Sequence, residues 1–537
     1  MKPRFFPATM LCAIQVVCAT TSAWAATLPA PAVRKPNILW IVAENMGPDL
    51  GCYGYPLVRT PHLDRLAGQG MRYRLAFDTA PICSASRSSF MTGMYQTTIG
   101  AHNHRGHRSP GLDDHFLLPA GVRPLPHRLR EAGYFTANVT TLAGRPVGTG
   151  KTDLNFEVEG EVLRPRETPP ANPQRESVMH NFNNSVRLFQ ATEWTALTAH
   201  QPFFAQVNLP TVERGGGKGW VGSKRNPWFG QTHPEITDPA KVTVPPYYPD
   251  DPITREDWAG YLDAVGGMDT RVGEILARLE RDGLADDTVV IFFADNGRLE
   301  HRGLGWCYDS GDRVPLIVRW PKNFPAPPQY HAGTTSEQLI SLLDLTATTL
   351  AAAGVPKPVG MQSRVFLGAQ ADPERTVVFS ARDRHDEAVQ RIRAVRGHRY
   401  RYIRNFLPEI PFMAIHRYKE AVYPVVPLLK KLHAEGKLNG PPLALMAPRL
   451  PDEELYDLVA DPYEIHNLAT SSSSEHQRTL REMRATLENW IEETGDQGRT
   501  PESPAVIAYW TEVMEKMFPL RPDQPRPPVA PDGRPVH

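Results

Sequence analysis

The sequence predicts an α/β protein with a mostly parallel sheet at its centre. Residues 37–43, 203–209 and 288–294 are near-continuous apolar runs that end in polar loops, as expected for parallel strands covered on both faces. Between the second and third runs, apolar residues recur at helical spacing from Trp258 to Leu279. The order strand, helix, strand indicates a doubly wound sheet.

The helix and the region after it have recognisable limits. Thr254 and Asp257 have the spacing of a capping pair and are expected to start the helix. Further along, a loop rich in Pro and Gly precedes short strands expected near 376–379 and 400–403. We therefore place a domain boundary near residue 370.

Composition excludes several classes of protein. The 537 residues suffice for two or three domains, at roughly 150 residues each. The 59 basic and 59 acidic residues cancel, which argues against whole-protein electrostatic binding to nucleic acid or an anionic membrane. A hydrophobic content of 41% with 22% charged residues rules out wholesale disorder. The 53 prolines predict many long loops on a rigid scaffold, as enzymes often have.

The amino terminus has the features of an export signal. Lys2 and Arg4, an apolar run over 10–17 and an A-x-A site at 23–25 predict a signal peptide, residues 1–25. The apolar run is too short to span a bilayer. We therefore expect a secreted or periplasmic protein without a stable membrane anchor.

The carboxyl end is rich in proline. Residues 519–537 contain seven prolines and no apolar periodicity. This composition predicts an extended tail, which we assign to residues 501–537.

Two pairs of polar residues follow the predicted strands. Glu44 and Asn45 come after the first strand, and Asp295 and Asn296 follow the third. Such positions line the ligand crevice of a parallel sheet, although each pair alone is more often a turn or a helix cap. Two oxygen-rich pairs together favour a hard cation, Ca²⁺ or Mg²⁺. No Cys/His spacing indicates zinc.

Signal removal would leave three cysteines, Cys52, Cys83 and Cys307, too few for a disulfide framework in a chain of this size. Cys52 and Cys307 each follow a strand expected at the crevice. They could pair in an oxidising compartment, but two separately buried thiols are favoured, because a disulfide needs Cα atoms within about 7 Å.

The most informative stretch runs from Cys83 to Gly93 and reads CSASRSSFMTG. Its first five residues alone would suit a buried structural cysteine beside a helix N-terminus. That explanation is favoured for these five residues, and the other generic option is a cysteine nucleophile, since a helix N-terminus lowers a thiol pKa.

The whole stretch resembles the sulfatase signature, C-x-(P/A)-S-R followed by Thr-Gly, with Ala85 where Pro is commoner. In that family the cysteine is oxidised to formylglycine. Four other segments also resemble sulfatase motifs, and they follow one another in the order found in that family. This order, together with the sequence of residues 94–105, is most similar to the heparan N-sulfatase-like branch. These further segments are residues 35–39, 60–67, 313–321 and 454–468.

The resemblance implies an alkaline-phosphatase-like α/β/α core over residues 35–370. It also implies a smaller C-terminal α+β subdomain with an antiparallel sheet over 371–500. The expected partners are a formylglycine-generating enzyme and a sulfated carbohydrate or small sulfate ester. In the implied mechanism, a cation and basic side chains neutralise the sulfate. One hydroxyl of the hydrated aldehyde attacks sulfur, and the second expels sulfate.

Carried over by residue, the resemblance makes Cys83 the formylglycine precursor, with Arg87 supporting the hydrate and Lys151 contacting sulfate. The implied ligands of Ca²⁺, or alternatively Mg²⁺, combine Cys83 with the two strand-terminal pairs. They are Glu44, Asn45, Cys83, Asp295 and Asn296. Most family members carry Asp where this chain has Asn45, so the cation is expected to bind more weakly.

Three further positions depart from the family pattern. Asp153 stands where many sulfatases have a catalytic His and becomes the natural candidate for general base. Glu213 falls where a second His would touch the leaving oxygen, and Leu304 replaces a Lys. The candidates for a replacement cation are Arg214, Arg298, Arg302 and His301.

Two segments offer substrate contacts. His104 lies among the three histidines that follow the signature, and the cluster at 382–386 contains His385. Either segment could instead be a solvated loop or a structural element that does not contact substrate. With Glu213 and Arg302 they complete the candidate substrate-binding set.

Three functions remain open from sequence. The leading one is an exported sulfatase that acts on sulfated carbohydrate, a related sulfate monoester or a sulfamate. The second is an inactive relative that binds sulfated glycans, suggested by the lost Lys and His positions. The third is a phosphate or phosphonate ester hydrolase, because phosphoryl and sulfuryl transfer need similar sites.

Overall fold

In the computed structural model the described residues are 1, 34–113, 116–157, 188–214, 220 and 237–520. Pro36–His537 belong to one compact unit and Met1–Lys35 to another. The predicted signal peptide lies outside the described residues apart from Met1. No helix among the described residues is long and apolar enough to cross a membrane.

A nine-stranded sheet forms the centre of the described structure. Its strands are β1 (Asn37–Ala43), β2 (Met71–Phe77), β3 (Phe135–Leu142), β4 (Arg145–Pro146), β5 (Ala191–Glu193), β6 (Phe203–Leu209), β7 (Thr288–Ala294), β8 (Arg313–Arg319) and β9 (Thr335–Ser341). The order is β4-β3-β6-β1-β7-β8-β2-β9, with β5 beside β3. β8 runs antiparallel to both of its neighbours, whereas β3, β6, β1 and β7 are parallel.

A second sheet of four antiparallel strands follows in the C-terminal part. It contains β10 (Val378–Arg382), β11 (Ile392–Arg396), β12 (Tyr400–Asn405) and β13 (Glu453–Asp457), in that order. The predicted α/β class, with a mostly parallel sheet and a C-terminal antiparallel sheet, is therefore confirmed. The domain boundary near residue 370 stays a prediction.

Helices cover the two sheets and connect their strands. In the described residues they are α1 (Pro61–Gln69), α2 (Cys83–Thr92), α3 (Leu125–Glu131), α4 (Thr195–Ala199), α5 (Pro252–Arg281), α6 (Asp309–Asp312), α7 (Asp344–Ala352), α8 (Arg417–Val422), α9 (Val425–Ala434), α10 (Gly440–Ala444), α11 (Ser474–Glu493) and α12 (Pro504–Met517). Leu480, Leu487 and Trp490 of α11 join the apolar cluster that also contains Val395 and Tyr402 of the second sheet.

The three predicted parallel strands are β1, β6 and β7, and every residue in them is buried. β1 lies between the other two. In the register, Ala43 is opposite both Leu209 and Ala294. The carboxyl ends of these strands therefore lie side by side, which places the loops after them at one edge of the sheet.

The long helix α5 starts earlier than the sequence suggested. Its N-cap is Asp251, whose Oδ1 accepts a hydrogen bond from the Ile253 backbone at 2.8 Å, and Pro252 occupies the first turn. Thr254 is buried inside the helix and Asp257 pairs with Arg214. The expected Thr254–Asp257 capping pair was wrong, because an Asp followed by Pro begins a helix at least as well.

The range 501–537, assigned to an extended tail, also needs correction. Its first part contains the helix α12, whose apolar side is formed by Val506, Trp510, Val513 and Met514. Trp510 is fully buried. The prolines on either side of this segment obscured its helical spacing in the sequence. Residues 521–537 of the assigned tail lie outside the described part.

Replacing Asp251 with Ala should lower the free energy of unfolding by about 1 kcal/mol, because the Ile253 amide loses its acceptor. Urea unfolding monitored by circular dichroism measures the change. Asp251→Ser keeps a capping oxygen and should stay close to the unmodified protein. Equal loss in both variants would contradict the assigned cap.

Candidate active site

The candidate site forms where β1 and β7 end side by side. The backbone N–H of Asn45 donates to Asp295 Oδ1 at 3.0 Å, and Asn296 Nδ2 donates to Asn45 Oδ1 at 2.9 Å. Glu44, Asn45, Asp295 and Asn296 are all buried. The structure thus brings the two predicted pairs together as one oxygen-rich cluster.

Asn45 has a left-handed backbone, with φ of 54°. Asn and Asp tolerate this conformation better than other residues with a side chain, because their short polar groups bond locally. The Asn45 Nδ2 donates to Glu213 Oε1 at 2.8 Å. Glu213, predicted to contact substrate, therefore lies directly against the cluster.

Cys83 opens helix α2 beside these residues. Its Sγ lies 3.7 Å from Asn45 Oδ1 and is buried. Burial raises the pKa of the thiol well above its ordinary value, and Asp295 and Glu213 add to the rise, although Lys151 opposes it. An unmodified thiol here is therefore a poor thiolate nucleophile at neutral pH.

The serines that follow Cys83 tie the helix to its surroundings. Ser86 Oγ donates to the Asp295 carbonyl at 2.5 Å. Ser84 Oγ accepts from the Arg105 backbone, and Ser88 Oγ accepts from the Asn155 backbone, both at 2.9 Å. These contacts fix the start of α2 relative to β7 and to the two neighbouring loops.

Two buried cations balance the carboxylates. Arg87 donates from Nε to Asp295 Oδ2 and from Nη1 to Asn208 Oδ1, each at 2.8 Å. Lys151 Nζ donates to Glu44 Oε2 at 2.8 Å. Arg87 Nη2 also lies 3.7 Å from Glu44 Oε1. Both carboxylates therefore have at least one charged partner, as buried charges require.

The cluster has the chemistry of a hard-cation site. Glu44 Oε1 and Asn296 Oδ1 are buried and make no hydrogen bond in the described structure. The pKa of Glu213 rises to about 7, first because its carboxyl is buried and further because Glu44 and Asp295 lie near it. A divalent cation bound to these oxygens would offset this crowding of negative charge, so the residues present fit Ca²⁺ or Mg²⁺.

Asp153 lies in the same site, but it is engaged by another residue. Its Oδ1 is 2.7 Å from Arg108 Nη2, and both side chains are buried. Burial opposes ionisation, yet Arg108 and Lys151 more than offset that effect and hold the Asp153 pKa below its ordinary range. The carboxylate therefore stays ionised and is a weak proton acceptor.

His104 and His385 surround one buried carboxylate, that of Asp386. His104 Nδ1 and Arg105 Nη1 each lie 3.0 Å from Asp386 Oδ1. His385 Nε2 and His416 Nε2 are 3.8 and 3.6 Å from Oδ2. Ligand atoms of His104, His385 and Asp386 lie within 4.8 Å of one another, close enough to share an ion.

Arg302 is not brought to these residues. Its Nη2 donates to the Glu464 carbonyl at 2.7 Å, and its guanidinium lies 3.6 Å from the Tyr308 ring centroid. The predicted substrate contact therefore has a packing role, because its donors serve the segment around Glu464. Nothing in the local sequence around Arg302 indicates a partner so far along the chain.

The other candidates for a replacement cation are also engaged elsewhere. Arg214 pairs with Asp257 at 2.6 Å, and Arg298 pairs with Asp49 at 2.6 Å. Burial lowers the pKa of His301 well below its ordinary value, so the ring is neutral. The structure instead shows a cation that sequence reasoning missed, Arg108, which pairs with Asp153 and which local spacing does not mark.

The thiols expected near the crevice rim are unpaired. Cys52, Cys83 and Cys307 are free cysteines, with Cys307 buried and Cys52 half-buried. The favoured alternative of separate thiols is therefore confirmed, although Cys52 is only partly covered.

Comparison with known proteins identifies the family. The Sulfatase family model matches residues 36–355, and the model "N-sulphoglucosamine sulphohydrolase, C-terminal" matches 300–419. An ulvan-active sulfatase of Formosa agariphila is 33% identical, covering 89% of this chain and 78% of its own length. Human N-sulphoglucosamine sulphohydrolase is 30% identical, covering 86% of this chain and 91% of its own.

Solved structures share the fold. A 2-O GAG sulfatase is 19% identical with a TM-score of 0.56, covering 88% of this chain and 96% of its own. A phosphonate monoester hydrolase from Silicibacter pomeroyi is 17% identical with a TM-score of 0.57, covering 86% and 96%. The fold is thus the alkaline-phosphatase-like fold of the sulfatases, as predicted. Together with the two family matches, it establishes that this chain belongs to the sulfatase family and is a sulfuric ester hydrolase.

Proposed function

We propose that this protein is an exported sulfatase that hydrolyses sulfate monoesters or sulfamates on sulfated carbohydrate. The observation that carries the proposal is the position of Cys83, at the start of α2, against an oxygen-rich cluster with two buried cations. Two relatives are named for ulvan and for N-sulphoglucosamine, which supports a carbohydrate substrate. The signal-like residues 1–25 support export.

The site needs two groups that the chain acquires. A formylglycine-generating enzyme would convert Cys83, and the resulting aldehyde hydrate would supply a hydroxyl nucleophile that a thiol does not. Ca²⁺, or alternatively Mg²⁺, would be held by the oxygen-rich cluster and would act there as a Lewis acid. The proposed ligands are Glu44, Asn45, residue 83, Asp295 and Asn296.

Arg87 and Lys151 have the geometry to neutralise substrate. Both are buried and donate to the carboxylates of the cluster. A sulfate placed between them and Cys83 would meet positive charge on its oxygens, which lowers the barrier for attack by an electron-rich group. Glu213, hydrogen-bonded to Asn45, is proposed to contact the leaving group.

Asp153 is proposed as a positioning residue more than as the general base. Its ion pair with Arg108 and its lowered pKa favour holding a cation in place over accepting a proton. Arg108 Nε and Nη1 are buried and make no hydrogen bond in the described structure. They are available to a substrate oxygen, which would partly replace the Lys lost at Leu304.

His104 and His385 are proposed to contact the sugar next to the sulfate. The two rings meet edge to face with centroids 4.8 Å apart. Burial is the main reason that the pKa of each is lowered. Neutral rings can donate and accept hydrogen bonds to hydroxyls without repelling Arg105.

The two alternative functions receive less support. The phosphonate monoester hydrolase among the structural neighbours is similar in fold alone, at 17% identity. An inactive binding protein would not need Cys83, Arg87 and Lys151 arranged around one oxygen cluster. The family matches and the intact signature both favour sulfate hydrolysis.

Purified protein should contain one Ca²⁺, or less favourably Mg²⁺, because the proposed ligands are oxygen atoms. Elemental analysis measures the metal content, and stoichiometric zinc without calcium would contradict the site. Asn45→Asp should bind Ca²⁺ more tightly, since it adds a negative charge where the backbone conformation tolerates Asp. Titration of chelator-treated protein compares the two affinities.

Cys83→Ala and Cys83→Ser should abolish turnover of sulfated substrate while the protein still folds. Arg87→Ala or Lys151→Ala should each lower kcat on the order of a hundredfold, the usual scale for one group that stabilises transition-state charge. Cys52→Ala, a matched cysteine outside the cluster, should leave kcat unchanged. Turnover is measured on aryl sulfates and sulfated saccharides. Full activity in Cys83→Ala would contradict the proposal.

Asp153→Asn should lower kcat/KM roughly tenfold, because it removes the ion pair that holds Arg108, and Arg108→Gln should lower it on the order of a hundredfold, because it also removes the donors proposed for the substrate oxygen. Rapid-mixing kinetics should show a steady rate without a burst. A burst of one turnover followed by stalling in Asp153→Asn alone would instead make Asp153 the base of the release step.

A further inference from the structure

A narrow cavity beside the Asp386 cluster contains two buried cations, Arg382 and Lys419. Its walls also include His301, Trp306, Phe412 and His416. Its accessible interior is only about 20 Å³, and the larger space of about 380 Å³ includes open solvent at its mouth. The proposed sulfate chemistry uses neither cation, so their presence here requires another explanation.

Arg382 is the clearest sign of a missing partner. Only 6% of its surface is exposed, and its Nε and Nη1 make no hydrogen bond in the described structure. The guanidinium lies over the Trp306 ring, 4.1 Å from its centroid. Burial lowers its pKa to about 10, and nearby Cys307 and Asp383 only partly offset that effect. Arginines elsewhere in this protein, such as Arg401 and Arg393, are paired with carboxylates.

In the described structure the Lys419 ammonium donates to backbone oxygens. Its Nζ donates to the carbonyls of Leu304 at 2.6 Å and His301 at 3.1 Å. Among the described residues, neither Lys419 nor Arg382 has a carboxylate within ion-pair distance. Burial lowers the Lys419 pKa well below its ordinary value, and Arg382 lowers it further.

Arg382 is a buried charge that has no carboxylate partner among the described residues, and such a charge destabilises the folded chain. Lys419 lines the same cavity and donates there to two backbone carbonyls. The arrangement is explained if a ligand supplies the negative charge. Trp306 and Phe412 stack with centroids 4.1 Å apart and give the cavity an apolar wall beside its cations. An apolar wall next to paired cations suits an anionic group carried on a sugar ring.

The cavity adjoins the proposed active site. His416 lines it and also lies 3.6 Å from Asp386 Oδ2, in the cluster that contains His104 and His385. Leu304, whose carbonyl accepts from Lys419, precedes Gly305, whose N–H donates to Pro81 two residues before Cys83. The cavity therefore lies beside the residues that are proposed to contact the sugar next to the sulfate.

We propose that Arg382 and Lys419 form a second anion-binding pocket, which holds a carboxylate or sulfate group on the sugar unit next to the one that is hydrolysed. The inference rests on the proposed function and narrows it to saccharides that carry at least two anionic groups. A neutral or singly sulfated sugar would leave the pocket without its ligand.

Calorimetric titration with inorganic sulfate tests the pocket without any turnover. The unmodified protein should bind two sulfate ions. Arg382→Gln should weaken one site at least tenfold and keep the other, whereas Lys151→Gln should do the reverse. Arg391→Gln is the matched control, because Arg391 also has no carboxylate partner among the described residues but lies over Phe406 in another cleft. A single sulfate site that Arg382→Gln leaves unchanged would overturn the proposal.

Folding is checked in the same variants by their thermal unfolding midpoint in low-salt buffer. Removing an unpaired buried cation should leave the midpoint of Arg382→Gln equal or higher. Arg382→Lys keeps the charge and should keep both sulfate sites. A lower midpoint with both sulfate sites retained would make Arg382 a structural residue and contradict the pocket.

Kinetics with a sulfated disaccharide that carries a neighbouring uronic acid tests the source of the anion. Arg382→Gln should raise KM at least tenfold for this substrate and leave KM unchanged for its carboxyl-reduced form. Equal effects on both substrates, or none, would overturn the assignment to a substrate group. Absence of all turnover in the unmodified protein would refute the proposed function, while the sulfate titration would still report on the pocket.

Discussion

The pairing of buried charges at the carboxyl edge of the parallel sheet is the constraint on which the site depends. Glu44 and Asp295 follow adjacent strands, and burial of both is tolerated because Lys151 and Arg87 reach them. These two ion pairs join β1, β7, α2 and the loop at Lys151. The same pairs that stabilise the fold therefore also gather the charges that sulfate hydrolysis requires.

The two proposed ligand sites contain buried polar atoms that make no hydrogen bond within the described residues, as do several other parts of the protein. Arg302, Arg214 and Arg298 are fully engaged and act in packing. By contrast, Glu44 Oε1 and Asn296 Oδ1 make no hydrogen bond in the described structure where a cation would bind, and neither do Arg382 Nε and Nη1 where an anion would bind. Buried polar atoms without hydrogen bonds are costly, and a cation at the first place and an anion at the second would each offset that cost.

Sequence reasoning succeeded where the signal was local. Apolar runs gave the three central strands, and the residues after them gave the oxygen cluster. It failed where a role depends on distant segments: Arg302 binds the backbone at Glu464, and Asp153 pairs with Arg108. Neither partner follows from spacing, because tertiary packing alone brings such segments together. The helix α12 was missed since prolines around it obscured its apolar periodicity.

The central claim is that Cys83 becomes the nucleophile as formylglycine. The most direct measurement is mass spectrometry of the peptide around residue 83, from protein expressed with a formylglycine-generating enzyme. Our account predicts the aldehyde at that position in the active fraction, with turnover proportional to its occupancy. An unmodified thiol in protein that hydrolyses sulfate esters at full rate would contradict it.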